Sequence, residues 1–160
     1  MSYTDYRNIT GNILNIQTGS TCCITIITVR SGEETVNFVV TGDTEVIGSV
    51  RLRRGMRVAA FYDTTLPVPA IYPPQYHAEL IAPLRPNQEA ALNFFDQTLT
   101  AEDNSLKLNI GPMTRIETQN GQQFRCDPRN MDLLVYYTTT TFSIPPQTTP
   151  QKIVVMCPEK

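Results

Sequence analysis

The sequence predicts an all-β protein made of two tandem copies of one small antiparallel unit. Three observations predict this fold class: runs in which apolar and polar residues alternate, a composition with 12 prolines, many threonines and no tryptophan, and matching strings in the two halves. Alternation with a period of two residues is typical of strands that bury one face. A chain of 160 residues is long enough for one domain or for two small ones with workable cores.

The two halves match in the same order along the chain. Each copy has a run of alternating apolar residues, a turn and then a threonine, Thr44 in the first copy and Thr114 in the second. Each later reaches Pro-Pro-Gln and ends on a short apolar strand and a proline. Such ordered matches indicate an internal duplication. The matched segments are 36–47 with 106–116, 54–65 with 129–140, 73–75 with 145–147, and 78–83 with 153–158.

The alternation predicts six strands in the first copy. Ser31-Gly32-Glu33 is a good hairpin turn, and Gly55 supplies a positive φ before the strand that follows it. Helical periodicity is found over residues 87–94, which we interpret as one or two helical turns between the copies. The order of strands resembles an OB-like five-stranded barrel, with a β-sandwich as the alternative. The expected strands lie near 9–16, 22–30, 34–40, 45–50, 56–62 and 77–82.

The second copy is predicted to lack its first strand. Counting back along the chain from the matched segments 36–47 and 106–116 aligns residues 93–98 with 23–28. Residues 23–28 belong to the predicted second strand of the first copy. No counterpart of the opening strand fits in the proline-containing segment 81–90. The expected organisation is an N-terminal extension over 1–10, a first β unit over 11–84 and a second, strand-deficient β unit over 85–160.

An empty strand position would expose backbone N–H and C=O groups that proteins normally cover. The other half of the chain, a local segment or a strand from a neighbouring subunit could cover it. The N-terminal extension is the candidate donor strand, and head-to-tail donation would produce filaments because it does not close on itself. The leading hypothesis is therefore a non-enzymatic structural subunit whose partner is itself, as a homo-oligomer or a filament. The expected subunit contacts are Tyr3, Tyr6, Ile9, Tyr72 and Tyr76.

The segment 66–76 is apolar and aromatic, and its prolines restrict it to extended or polyproline conformations. It is either an ordered loop that packs on its own unit or a rim that contacts a subunit or a ligand. The alternative function is accordingly a module that binds a small ligand, a peptide or a glycan.

Binding of single-stranded nucleic acid is the third hypothesis. It rests on a basic cluster near Phe61 and Tyr62 on an OB-like scaffold. The net charge of -2 opposes it, and the second copy keeps only Arg129 of the cluster. Solvated charge that protects an edge strand is the simpler interpretation, so no nucleic-acid partner is expected. The cluster consists of Arg51, Arg53, Arg54 and Arg57.

No catalytic, cofactor-binding or metal site is predicted. The single histidine, His77, lies in a predicted strand outside any metal-ligand spacing, and we expect a solvated or edge side chain. Asp63 could pair with Glu45 or Glu79, but its counterpart in the second copy is Thr138, and Asp is common in turns. No cofactor is therefore expected.

The four cysteines are interpreted as simple thiols, because none lies in a CxxC or Cys/His spacing. Adjacent strand residues point to opposite faces, so one of Cys22 and Cys23 is expected to face the core and the other to face outward. Cys157 is expected on the core face of its copy. Outside a reducing compartment an outward thiol could bridge to another subunit, so the disulfide candidates are Cys22, Cys23, Cys126 and Cys157.

The opening string MSYTDYRNIT has neither the basic nor the apolar region of a signal peptide, and no apolar run reaches the about 18 residues of a spanning helix. We expect no membrane partner. The expected location is the cytoplasm or, by a non-classical route, the cell or spore surface.

The string Phe61-Tyr62-Asp63, then Pro67-Val68-Pro69, then the run from Ile71 to Tyr76 (Ile-Tyr-Pro-Pro-Gln-Tyr) resembles one found in a family of uncharacterised proteins of spore-forming anaerobic bacteria. The resemblance covers nearly the whole chain, including the second copy. Because that family has no assigned activity, the resemblance implies a bacterial origin and no functional site.

Overall fold

The computed structural model describes residues 3–158 and is all-β, with thirteen strands and one short 3-10 turn in that range. The chain divides into two compact units. The first unit comprises Asp5–Pro86, and the second comprises residues 87–158 together with Tyr3 and Thr4. The division after Pro86 is close to the expected boundary after Leu84.

The first unit contains one sheet in the strand order β4-β7-β5-β1-β2-β3-β6. The neighbouring strands are antiparallel, except that β3 pairs with β6 and β4 pairs with β7 in parallel. The ladder has two ends, β4 and β6. The strands are β1 (Tyr6–Thr18), β2 (Thr25–Ser31), β3 (Glu34–Val40), β4 (Glu45–Val46), β5 (Arg57–Asp63), β6 (Gln75–His77) and β7 (Leu80–Leu84), with the 3-10 turn at Ile47–Ser49.

The long strand β1 changes partner along its length. Its first half pairs with β5 from Tyr6 to Asn12, and its second half pairs with β2 from Asn12 to Thr18. A Cβ atom on Gly11 would overlap the carbonyl oxygen of Arg30 in β2. A residue without a side chain is therefore required where the two pairings meet.

The expected N-terminal extension over 1–10 is wrong for residues 6–10. These residues belong to β1 and pair with β5 of their own unit, opposite residues 59–63. The sequence misled because Tyr6, Arg7 and Asn8 are polar, although they lie on a strand that pairs with β5 of the same chain.

The core of the first unit is built from alternate residues of its strands. In β2, for example, Ile27 and Val29 are fully buried, whereas Thr28 and Arg30 between and after them are not. This is the arrangement that period-two patterning requires. The core cluster comprises Ile13, Ile27, Val29, Val36, Phe38, Val58, Ala60, Ala78 and Ile81.

The second unit contains a four-stranded sheet in the order β10-β13-β11-β8 and a two-stranded sheet of β12 and β9. Its core includes Phe95, Leu133, Val135, Ile153 and Val155. The strands are β8 (Glu89–Phe95), β9 (Lys107–Leu108), β10 (Arg115–Thr118), β11 (Met131–Tyr137), β12 (Gln147–Thr148) and β13 (Lys152–Val155).

Two expectations about the second unit are wrong. Residues 87–94 are not helical, because Glu89–Phe95 forms β8. Nor does the unit lack its opening strand, since β8 pairs antiparallel with β11 along its whole length, as β1 pairs with β5. What is shortened is the hairpin that follows: the loop 96–106 contains two small turns, and isolated bridges join Phe95 to Ala101 and Thr100 to Lys107.

The matched threonines Thr44 and Thr114 make similar hydrogen bonds in the two units. The hydroxyl of Thr44 donates to the carbonyl of Ala78 at 2.7 Å, and the hydroxyl of Thr114 donates to the carbonyl of Pro150 at 2.7 Å. Each hydroxyl also accepts the backbone N–H of the residue three positions earlier. The pairing order β1-β5-β7-β4 in the first unit corresponds to β8-β11-β13-β10 in the second.

Replacement of Gly11 tests the partner change of β1. Gly11→Ala is expected to lower the free energy of unfolding by about 1–3 kcal/mol, because the new methyl group must displace the Arg30 carbonyl. The measurement is urea denaturation followed by circular dichroism. Gly42→Ala is the matched control, since a Cβ there meets no heavy atom within 4 Å. Equal stability of the two variants would contradict the constraint.

Tyr136 carries a second test. Its hydroxyl is buried and has no hydrogen-bond partner among the described residues, and burial raises the pKa of this phenol so that it stays protonated. The matched position in the first unit is Phe61. Tyr136→Phe is therefore expected to leave the free energy of unfolding unchanged or to raise it by about 1 kcal/mol.

The control for this variant is Thr114→Val, which leaves two backbone groups without their side-chain partner. It is expected to lower the free energy of unfolding by about 1–3 kcal/mol. Differential scanning calorimetry of both variants provides the comparison, and a large loss of stability in Tyr136→Phe would show that its hydroxyl is satisfied.

Acid should destabilise the turn after β8. The hydroxyl and amide of Thr98 and the amide of Thr100 donate to Asp96, which holds the pKa of this carboxyl below its usual range. A carboxyl whose pKa is lower in the folded state than in the unfolded state stabilises the fold at pH values above its unfolded-state pKa. This stabilisation is lost as the pH falls through the folded-state pKa. Burial raises the pKa of Asp132, so protonation of this carboxyl at low pH favours the folded state and opposes the effect of Asp96.

The difference between wild type and Asp96→Asn isolates this carboxylate. The variant is expected to show a smaller decline of unfolding free energy on acidification from neutral pH to below the ordinary Asp pKa of about 3.9. Urea titrations at a series of pH values measure the slopes, and parallel slopes for the two proteins would refute the role of Asp96.

Candidate functional site

Three aromatic rings form a cluster where β5, β3 and β6 come together in the first unit. The rings of Tyr62 and Tyr76 are stacked, with centroids 4.0 Å apart and an interplanar angle of 14°. Phe38 lies beneath both, with its centroid 6.2 Å from Tyr62 and 6.0 Å from Tyr76. The parallel pairing of β3 with β6 sets Phe38 opposite Tyr76, so the register of the sheet fixes the cluster.

His77 lies beside this cluster and has a partner at each ring nitrogen. Its Nδ1 is 2.7 Å from Oε2 of Glu79, and its Nε2 is 3.4 Å from the hydroxyl of Thr41. His77 was expected to be a solvated or edge side chain, and it does lie on β6 at the end of the sheet, where its contacts with Glu79 and Thr41 orient it. A His-x-Glu spacing places both side chains on the same face of an extended segment, and this signal was present in the sequence.

A cavity of about 200 Å³ opens next to the aromatic cluster. One wall consists of Tyr62, Tyr76 and His77, and the other consists of the loop residues 66–69, Leu-Pro-Val-Pro. Ligand pockets for drug-sized molecules measure about 300–1,000 Å³, so this cavity suits one ring or one side chain. We call it the aromatic cavity.

Tyr62 and Asp63 bring a hydroxyl and a carboxyl to the lining of the aromatic cavity. Burial, followed by the neighbouring Tyr76, raises the pKa of Tyr62, so its hydroxyl remains a donor at neutral pH. The hydroxyl and amide of Thr65 donate to Asp63 and lower the pKa of that carboxyl, which therefore carries a negative charge at the rim. The arrangement combines apolar walls with a few oriented polar groups, as in binding sites.

The predicted carboxylate pairs have other partners. Asp63 accepts hydrogen bonds from Thr65, and Glu79 binds His77. Among residues 3–158, no group of three or more His, Cys, Asp or Glu side chains is placed to hold a metal ion.

The residues predicted as subunit contacts lie in different environments. Ile9 and Tyr76 pack against the core cluster of their own unit. Tyr6 pairs with Asp63 in the sheet, and Tyr3 precedes β1 and is half-buried. Tyr72, at the end of the loop, is 86% exposed. Of these five residues, Tyr72 presents the largest free surface.

All four cysteines are free thiols on exposed residues. Cys22 and Cys23 lie in the turn before β2, which starts only at Thr25, so the expectation that one of them faces the core is wrong. Cys157 follows the end of β13 at Val155, and its expected core position is also wrong. The disulfide candidates Cys22, Cys23, Cys126 and Cys157 remain predictions for contacts between subunits.

The basic cluster lies mostly on the surface before and at the start of β5. Arg51, Arg53 and Arg54 are exposed, and Arg54 donates to the backbone carbonyl of Leu14 at 3.3 Å. Tyr62, the aromatic neighbour in the sequence, is instead stacked on Tyr76. The structure therefore places these arginines at the surface, and nucleic-acid binding by this cluster stays a prediction.

None of the helical segments in the described residues is long and apolar enough to span a lipid bilayer. Comparison of the chain with protein-family models, with curated proteins and with solved structures finds no match.

Proposed function

We propose that the first unit is a binding module whose aromatic cavity accepts one apolar side chain of a proline-containing peptide segment. The observation that carries this proposal is the apolar cavity of about 200 Å³ between the Tyr62–Tyr76 stack and loop residues 66–69. Its volume suits a single side chain better than a cofactor or a nucleotide.

The chemistry of the walls supports a peptide. Stacked tyrosines present flat apolar surfaces, and aromatic-lined grooves are the usual receptors for proline-rich segments, which are already extended before they bind. The Tyr62 hydroxyl and the His77–Glu79 pair lie at or beside the cavity and can hydrogen-bond to a peptide backbone.

The strand order supports an OB-like interpretation of the first unit. β1, β2 and β3 form a meander, and β5 pairs back onto β1. Only Ala78 and Glu79 separate β6 from β7, and the amide of Ala78 binds Val39 while the amide of Glu79 binds Phe61. One continuous segment therefore reaches both β3 and β5, as in the partly open barrels that bind ligands through a strand face and adjacent loops.

Self-assembly through N-terminal strand donation has less support than the binding module. Residues 6–12 are already paired with β5, and β8 already provides the strand that pairs with β11. The two structural reasons for expecting a donated strand are therefore absent from the described part of the chain.

Capped amino acids test the aromatic cavity directly. N-acetyl-prolinamide and N-acetyl-phenylalaninamide are expected to cause saturable shifts in ¹H–¹⁵N spectra at residues 62–69 and 75–77, with N-acetyl-alaninamide as the small-side-chain control. Val68→Asp, which places a charge in the cavity wall on an exposed loop, should abolish the shifts. Tyr72→Ala, outside the cavity, should not.

Two results would overturn the proposed function. One is the absence of saturable shifts at these residues with any of the capped amino acids. The other is equal affinity of wild type and Val68→Asp for the probe that binds. Resonances of the second unit in the same spectra control for non-specific effects of the added amide.

A further inference from the structure

The loop between β11 and β12 in the second unit exposes two large apolar side chains. The relative exposure is 105% for Phe142 and 92% for Ile144, so neither side chain packs on its own unit. In the first unit, residues 66–69 of the matched loop line the aromatic cavity. The two loops share Pro-Pro-Gln, but that of the second unit projects its apolar residues into solvent.

This projecting loop, residues 141–147, is held in shape by its own hydrogen bonds. The amide of Thr141 donates to the carbonyl of Gln147 at 2.9 Å, and the amide of Gln147 donates to the hydroxyl of Thr141 at 3.0 Å. The hydroxyl of Ser143 donates to the carbonyl of Pro145 at 2.9 Å and lies 2.6 Å from that of Thr141. An ordered loop loses little conformational entropy when it docks.

We propose that the projecting loop of one copy inserts Phe142 or Ile144 into the aromatic cavity of a second copy. This inference rests on the proposed function of the cavity and names its occupant. The loop offers the cavity a large apolar side chain that is almost fully exposed, and its own hydrogen bonds hold that side chain on a bend at residues 142–145.

Charge does not oppose this contact. The sequence from Thr138 to Thr149 contains no charged residue, so nothing of like charge meets Asp63 at the cavity rim. The net charge of -2 also causes little repulsion between copies. Loop and cavity belong to the same chain and are therefore always present in equal amounts.

The proposed contact joins two different surfaces, a loop and a cavity. In a bound pair, one copy therefore still has a free loop and the other still has a free cavity, and each can bind a further copy. Such heterologous contacts produce open chains unless the geometry closes a ring. A single loop in a single cavity buries less area than a standard interface, so the association is weak and depends on concentration. This is a route to self-assembly that does not use the N-terminal strand.

Sedimentation velocity with two complementary variants tests the proposal. The loop variant, Phe142→Ser with Ile144→Ser, keeps an intact cavity, and the cavity variant, Val68→Asp, keeps an intact loop. Wild-type average mass is expected to rise from micromolar to millimolar concentration, whereas each variant alone stays monomeric. A mixture of the two variants is expected to form pairs and nothing larger, because the second contact is missing at both ends.

Met113→Ser removes another highly exposed side chain of the second unit and is expected to associate as wild type does. The inference is overturned if wild type remains monomeric to millimolar concentration, if the loop variant associates as strongly as wild type, or if the mixed variants do not pair. Capped amino acids that still bind the cavity in that case would leave the proposed function intact with a different partner.

Discussion

The structure of the first unit depends on the point at which β1 leaves β5 and joins β2. Asn12 pairs with Arg57 on one side and with Arg30 on the other, and Gly11 before it leaves room for the Arg30 carbonyl. One strand thereby connects β5 and β7 to the β2–β3 hairpin. Tyr62 lies on β5, on one side of β1, and Tyr76 lies on β6, which pairs with β3 on the other side. The aromatic cavity therefore depends on β1, because this strand joins the two sides of the sheet.

Period-two alternation was sufficient to predict the fold class and strands such as β2 and β3, which bury alternate residues. β5 and β7 each bury consecutive residues, and their apolar runs predicted them instead. The segment Glu89–Phe95 was misread because its apolar residues follow a spacing that a short helix also shows. Pairing with β11 makes the segment a strand. The strand predicted to be missing has a related cause. The number of residues before the matched segment is the same whether the opening strand is absent or the hairpin after it is shortened, so the sequence could not distinguish the two.

The candidate site was only partly predictable. The loop 66–76 was recognised from its prolines and aromatic residues, which act locally. The stack of Tyr62 on Tyr76 and the position of Phe38 beneath it depend on pairings between segments that are distant in the chain. No local pattern specifies such a register. The His77–Glu79 contact is the exception, because a spacing of two residues on an extended segment is visible in the sequence.

The shortened hairpin of the second unit affects how each half can fold. In the first unit, β1, β2 and β3 are joined by short connections, so two strand pairs form between sequence neighbours. In the second unit, β8 must find β11 across a long intervening segment, and β9 must find β12. Closing long loops before any contact forms is entropically unfavourable and slows folding. The N-terminal half is therefore expected to fold first, and the C-terminal half later and more slowly.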